Sequence, residues 1–139
     1  MGFMVRNSIC QVMAAGMCRV RDSLSVEEAE MEAVFWAGQC VLDLTFRQVM
    51  FETDCASIVK LFYSSVDLVP VTEMRTRMQR FKELVEFFTS SSCHRVIREC
   101  NSVAHCLAKQ ALTLSSFEQI WMEECSPVVL NIVVAEASV

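Results

Sequence analysis

With 139 residues, 53% of them apolar and 21% charged, the chain has the size and apolar content of one domain, and it contains no run of about 18 uncharged apolar residues of the kind that crosses a membrane as a helix. The net charge of −5 excludes nucleic-acid binding by bulk basicity, because phosphate neutralisation supplies most of the affinity of such proteins. A local patch remains open, since Arg75, Arg77, Arg80 and Lys82 cluster within one short stretch.

In chain order, Gly2–Arg6 and residues 11–18 read as two strands, and Asn7-Ser8 between them favours a turn, so a β-hairpin opens the chain. Ser25 followed three residues later by Glu28 is a capping-box pattern, and the helix it opens runs to about Asp43. Ala33, Val34, Ala37, Val41 and Leu44 recur on one face of that helix, and Glu30 lies on the same face one turn earlier. A carboxylate beside a buried stripe needs a cation, hydrogen-bond donors or access to water at the helix end.

Gln48 to Glu52 reads as a short strand. Asp54 follows its carboxyl end and is placed to cap a second helix, whose apolar positions are Ile58, Val59 and Phe62. Pro70 breaks the chain. A third helix is expected over Thr72 to Phe88, with Met74, Met78, Phe81 and Val85 on one side and Ser90–Ser92 ending it. His94 to Arg98 reads as another strand. Asn101 caps a fourth helix, with Val103, Leu107, Ala111 and Leu114 inward, and a tail follows Ser116. The order β-β-α-β-α-α-β-α indicates an α/β architecture with some parallel pairing, and the hairpin makes the sheet mixed. One domain over residues 1–116 and a tail over 117–139, packed on it or partly disordered, is the expected organisation.

The eight cysteines form no C-x-x-C pair and read as reduced, small hydrophobes. Cys93, His94, Cys100, His105 and Cys106 fit no common zinc spacing. Arg6 and Asn7 interrupt the one N-terminal stretch that would resemble a secretory leader. An intracellular protein is expected, with no motif choosing between nucleus and cytoplasm.

The chemistry concentrates in two acids. Glu30 lies near the start of the first helix. Asp54 lies at the carboxyl end of a strand, where ligands of open α/β sheets bind. Two such carboxylates are hard oxygen donors suited to Mg²⁺ or Mn²⁺. The alternatives are structural: Asp54 as a helix cap, and Glu30 as a first-turn acid favoured by the helix dipole.

Three blocks carry a resemblance. Ala29-Glu30-Met31-Glu32-Ala33, then Phe51-Glu52-Thr53-Asp54-Cys55, then Arg98 to Lys109 with Asn101-Ser102-Val103-Ala104-His105 at its centre resemble, in order, signatures of the plant ribonuclease H-like family, which is abundant in retroelements. The opening Gly2 to Ser8 resembles that family's second strand and turn, and Trp121 to Glu124 with Pro127 its usual tail. The resemblance covers nearly the whole chain. It implies a mixed sheet flanked by helices, and it implies cleavage of the RNA strand of RNA–DNA hybrids by two-metal hydrolysis. Glu30 and Asp54 match two of the four metal-holding carboxylates.

The departures from the family also carry implications. The family's first aspartate lies on a central first strand, upstream of the segment that matches Gly2–Arg6, and that strand is not among these residues. The fourth aspartate is replaced by His105. A neutral imidazole is a poor ligand for Mg²⁺ but acceptable to Mn²⁺. The resemblance therefore implies at most a single residual Mg²⁺ or Mn²⁺ site on Glu30 and Asp54, with His105 as the remaining residue at a catalytic position. A ribonuclease H-like nucleic-acid-binding domain with lost or weak hydrolysis is the expected function, and Arg75, Arg77, Arg80 and Lys82 are its candidate contacts to the hybrid. An active Mn²⁺-dependent hybrid ribonuclease and a non-enzymatic protein-interaction domain are the alternatives. Loss of a central strand would leave Gly2–Arg6 and Gln48–Glu52 with open edges that favour self-association, unless the apolar run Val128 to Val134 substitutes for it or packs as a tail.

Overall fold

A computed structural model of the chain describes residues 1–20, 24–122 and 130–137. The chain divides into two compact units, one formed by Met1–Asp22 with Asn101–Val139 and the other by Ser23–Cys100.

In the first unit, β1 (Gly2–Arg6) and β2 (Val12–Cys18) form the expected antiparallel hairpin. Asn7 organises its turn: the Asn7 Oδ1 accepts from the backbone N–H groups of Ile9 at 3.1 Å and Gln11 at 2.9 Å, as Asn does in turns. Two later elements complete this unit. Helix α4 (Ser102–Gln110) lies on the hairpin. A strand at Glu118–Met122 pairs antiparallel with β2. Residues Ala15, Met17, Val103, Leu107, Ala111 and Leu114 form the buried core, so all four positions predicted inward for the fourth helix are buried, although α4 ends at Gln110 and Ala111 and Leu114 lie beyond it. Gly2 is where β1 meets α4. A Cβ there would lie 2.6 Å from both the Ala108 nitrogen and the Leu107 Cβ.

The second unit holds the α/β layer. Helix α1 (Val26–Asp43) starts and stops where the sequence predicts. β3 (Gln48–Thr53) runs parallel to β4 (Ser90–Arg95), pairing Thr53 with Arg95. Helices α2 (Ala56–Tyr63) and α3 (Glu73–Val85) lie between these strands in sequence. The core is aromatic: Phe51, Phe62, Phe81 and Phe88 meet at tilted or edge-on angles, with centroids 5.2 to 6.3 Å apart. Met31, Ile58 and Met78 are fully buried with them.

Four readings of the sequence need correction. β4 begins at Ser90, not His94, because parallel pairing with β3 outweighs the poor strand propensity of three serines. The N-cap of α2 is Cys55, not Asp54. The strand at Glu118–Met122, which we number β5, was not foreseen. Leu130–Ala137 is a helix, α5, so residues 130–134 are not the substitute strand that the sequence allowed. Val128 and Val129 lie outside the described residues, as do the tail residues Glu123, Glu124 and Pro127. Among the described strands, β1 has β2 as its only neighbour and β3 has β4.

Candidate functional site

The acid pair is assembled by short-range devices within residues 23–100. The capping box is formed in full: the Ser25 N–H donates to Glu28 Oε2 at 2.8 Å, and the Glu28 N–H donates to Ser25 Oγ at 3.2 Å. The Ser25 backbone N–H, and then its hydroxyl, hold the Glu28 carboxyl below its ordinary pKa, and the box fixes where α1 begins, and hence where Glu30 projects one turn later. The Ser57 hydroxyl donates to Glu27 Oε1 at 2.6 Å, tying the first turn of α2 to the first turn of α1.

β3 delivers the second acid. Its last residue, Thr53, is buried, with only 2% of its surface exposed. The Thr53 carbonyl accepts from the Val96 N–H at 2.9 Å, which extends the parallel pairing past β4. Asp54 then leaves the strand, half-buried, just ahead of α2.

Glu30 and Asp54 come together electrostatically. Burial pushes the Glu30 carboxyl above the ordinary carboxylate range, and the negative charge of Asp54 pushes it further. A hydrogen bond from the Thr53 hydroxyl and the positive charge of Arg98 act the other way. Two acids that repel each other at the carboxyl end of a strand form a place where a divalent cation lowers the energy. The donor set is all oxygen, which fits Mg²⁺ or Mn²⁺, and Mg²⁺ commonly uses one or two protein carboxylates and completes its shell with water or phosphate oxygens. Among the described residues no group of three or more His, Cys, Asp and Glu side chains is arranged to hold a metal.

His105 sits in the second turn of α4, half-buried, in the first unit. Asn101 occupies the N-cap position of that helix without a side-chain capping bond.

The four basic residues are engaged within the chain. Arg77 forms a close ion pair with Glu32 of α1 and a second with Glu73 at 3.4 Å. The Arg77 and Glu32 side chains are 19% and 18% exposed. Arg80 lies over the Phe35 ring, 4.5 Å from its centroid, and reaches Glu32 at 3.5 Å, yet half of its side chain faces solvent. Arg75 pairs with Asp67 at 3.3 Å and donates to the Val69 carbonyl. Lys82 donates to the Phe62 carbonyl and, at 2.8 Å, to the Ser64 carbonyl, closing the end of α2; burial lowers its pKa. Arg80 is thus the most available of the four.

Sequence reasoning missed the part played by Thr53. Its signal was present, as a hydroxyl directly before Asp54 at the one position of β3 where a polar residue points inward.

The fold is the ribonuclease H-like α/β fold. The chain superposes on the crystal structure of ribonuclease H1 from the halophilic archaeon Halobacterium salinarum with a TM-score of 0.58 and 21% identity, over 72% of this chain and 85% of that one. Residues 1–111 match the family model described as reverse transcriptase-like, and the chain belongs to that family. No curated protein matches it.

Proposed function

We propose that the chain is a nucleic-acid-binding domain for RNA–DNA hybrids in which hydrolysis is lost or very weak. The observation that carries this reading is the pairing of Glu30 with Asp54 at the carboxyl end of β3, at the positions where the ribonuclease H-like motifs place two metal-holding acids. Two carboxylates supply one cation site. Hydrolysis by this class of chemistry needs a second cation to activate the attacking water while the first stabilises the leaving oxygen. His105 stands where the motif has the fourth aspartate, and an imidazole there disfavours Mg²⁺.

A cation held by Glu30 and Asp54 would bind a backbone phosphate, with Arg80 and Arg75 as further phosphate contacts. The plant and retroelement affiliation rests on the three motif blocks alone. The test is binding and cleavage of an RNA–DNA hybrid duplex in Mg²⁺ and in Mn²⁺. Salt-dependent binding without turnover is expected. Robust cleavage abolished by Asp54→Asn would replace this reading with that of an active nuclease, and absence of hybrid binding at low salt would favour a protein-interaction domain.

A further inference from the structure

We infer that the outer edge of β5 is a self-association surface, on which the β5 of a second copy of this chain pairs antiparallel across a two-fold axis at Ile120. The inference is independent of the reading of Glu30 and Asp54.

In an antiparallel pair, successive residues alternate between bonding to the neighbour and facing away from it. The Arg19 N–H donates to the Phe117 carbonyl at 2.9 Å, and the register sets Met17 against Gln119 and Ala15 against Trp121. Residues 117, 119 and 121 therefore bond to β2, and Glu118, Ile120 and Met122 turn their N–H and C=O groups outward. Among the described residues no strand pairs with that side, since β5 ends the order β1-β2-β5. The Ser116 hydroxyl donates to the Glu118 carbonyl at 3.1 Å, and a carbonyl has a second lone pair for a further donor. Trp121 packs on the core of its unit, while Ile120 and Met122, on the opposite face of the strand, are 41% and 53% exposed. The strand holds no Lys, Pro or bulge, the devices that keep open edges apart. β4 shows the contrast. The Tyr63 hydroxyl donates to the Cys93 carbonyl at 3.2 Å and accepts from the Cys93 N–H at 3.1 Å, so one residue of that strand has both backbone groups occupied by a side chain.

The β5 edge is its own complement. With Ile120 on the two-fold axis, Ile120 faces Ile120 of the second copy, and Glu118 faces Met122 in both directions. This is the one antiparallel register in which all three outward residues find partners. No acid meets an acid in it, whereas a register setting Glu118 against Glu118 would place like charges directly opposite. The contact is isologous and closes as a dimer, extending a sheet that is already antiparallel.

The test is sedimentation velocity of the full chain across a concentration series, for wild type, Ile120→Pro, Ile120→Lys and Leu68→Lys, each with its thermal melt. Proline removes only the N–H that faces away from β2, as edge strands tolerate, and lysine sets two like charges on the axis. Leu68, 81% exposed in the other unit, controls for general apolar stickiness. Wild type and Leu68→Lys are expected to dimerise alike. Ile120→Pro and Ile120→Lys are expected to weaken association by about 10-fold or more, since the proline change alone deletes two hydrogen bonds per dimer. A monomeric wild type overturns the inference. So does a dimer that both Ile120 variants leave intact, or one that Leu68→Lys weakens equally. If the Ile120 variants do not fold, amide exchange of wild type decides: protection of the Ile120 N–H that rises with concentration supports the inference, and protection independent of concentration overturns it.

Discussion

Replacing Arg77 by methionine separates structural from functional roles in the basic run. The change keeps the apolar stem and removes the charge. Arg77 and Glu32 each expose less than a fifth of their side chains, so the surface value of about 0–1 kcal/mol for an ion pair is too small, and the value of about 3–5 kcal/mol for breaking a fully buried pair is too large. Arg80 remains 3.5 Å from Glu32 and compensates part of the orphaned charge. The second pair, with Glu73, is exposed on the glutamate side and adds little. A destabilisation of about 1.5–3 kcal/mol is expected. Urea denaturation followed by circular dichroism reads it directly. In a double-mutant cycle with Glu32→Gln, a coupling of about 1–2 kcal/mol is expected. Arg80→Ala should behave oppositely, with a smaller stability loss but weaker hybrid binding and a salt slope reduced by about 1. If Arg77→Met is stable to within about 0.5 kcal/mol, the range of an ordinary surface substitution, and lowers hybrid affinity as Arg80→Ala does, the assignment of Arg77 to the α1–α3 junction is wrong.

Three further outcomes follow from particular residues. Glu30→Gln should raise stability at neutral pH and confer no gain below the usual carboxylate range, near pH 4. The sign comes from the raised Glu30 pKa: the folded chain holds that proton more tightly than the unfolded chain, so the stabilisation is present at low pH and is lost as pH rises through the folded-state value. Urea midpoints between pH 4 and 7.5 check it, and a variant less stable than wild type at pH 7 contradicts it. Thr45→Asn should stabilise by about 0.5–1 kcal/mol, because Thr45 has φ 68° in the left-handed region that β-branched residues avoid; an unchanged thermal midpoint would show that the strain is relieved elsewhere. Gly2→Ala should cost about 1–3 kcal/mol through overpacking, since the added methyl meets the α4 backbone at 2.6 Å, and a neutral result in urea would mean that β1 slides freely on α4.

The helices were more legible than the strands, and the reason is physical. Helix α1 carries its own start signal at Ser25 and Glu28 and a periodic apolar face, all local. Its end is also local: the Thr45 N–H donates to the Leu42 carbonyl and the Phe46 N–H to the Val41 carbonyl, a Schellman closure without the usual glycine. The face itself was only partly read. Val34 and Val41 are buried as expected, but Met31 and Gly38 complete the stripe. Gly38 is there because a Cβ would come within 2.7 Å of Leu84 Cδ2, a contact with a helix more than forty residues away that no local pattern reveals. β4 and β5 were misplaced or missed for the same kind of reason. Three serines and Glu118–Met122 become strands because β3 and β2 offer edges to pair with, and an edge is a property of the folded chain.

The candidate site follows the same division. Glu30 and Asp54 could be singled out from residue type and spacing, because a helix start and a strand end are both locally encoded. What couples them could not. The bond between Ser57 and Glu27 joins residues 30 apart, and the bond from the Cys55 N–H to Thr53 Oγ1 spans Asp54. These contacts all lie within residues 23–100 and act on the two elements that carry the acids. Holding two like charges together in a partly buried setting opposes folding unless something compensates. The capping box and the Glu27–Ser57 tether hold the two elements that carry the acids in place against that repulsion.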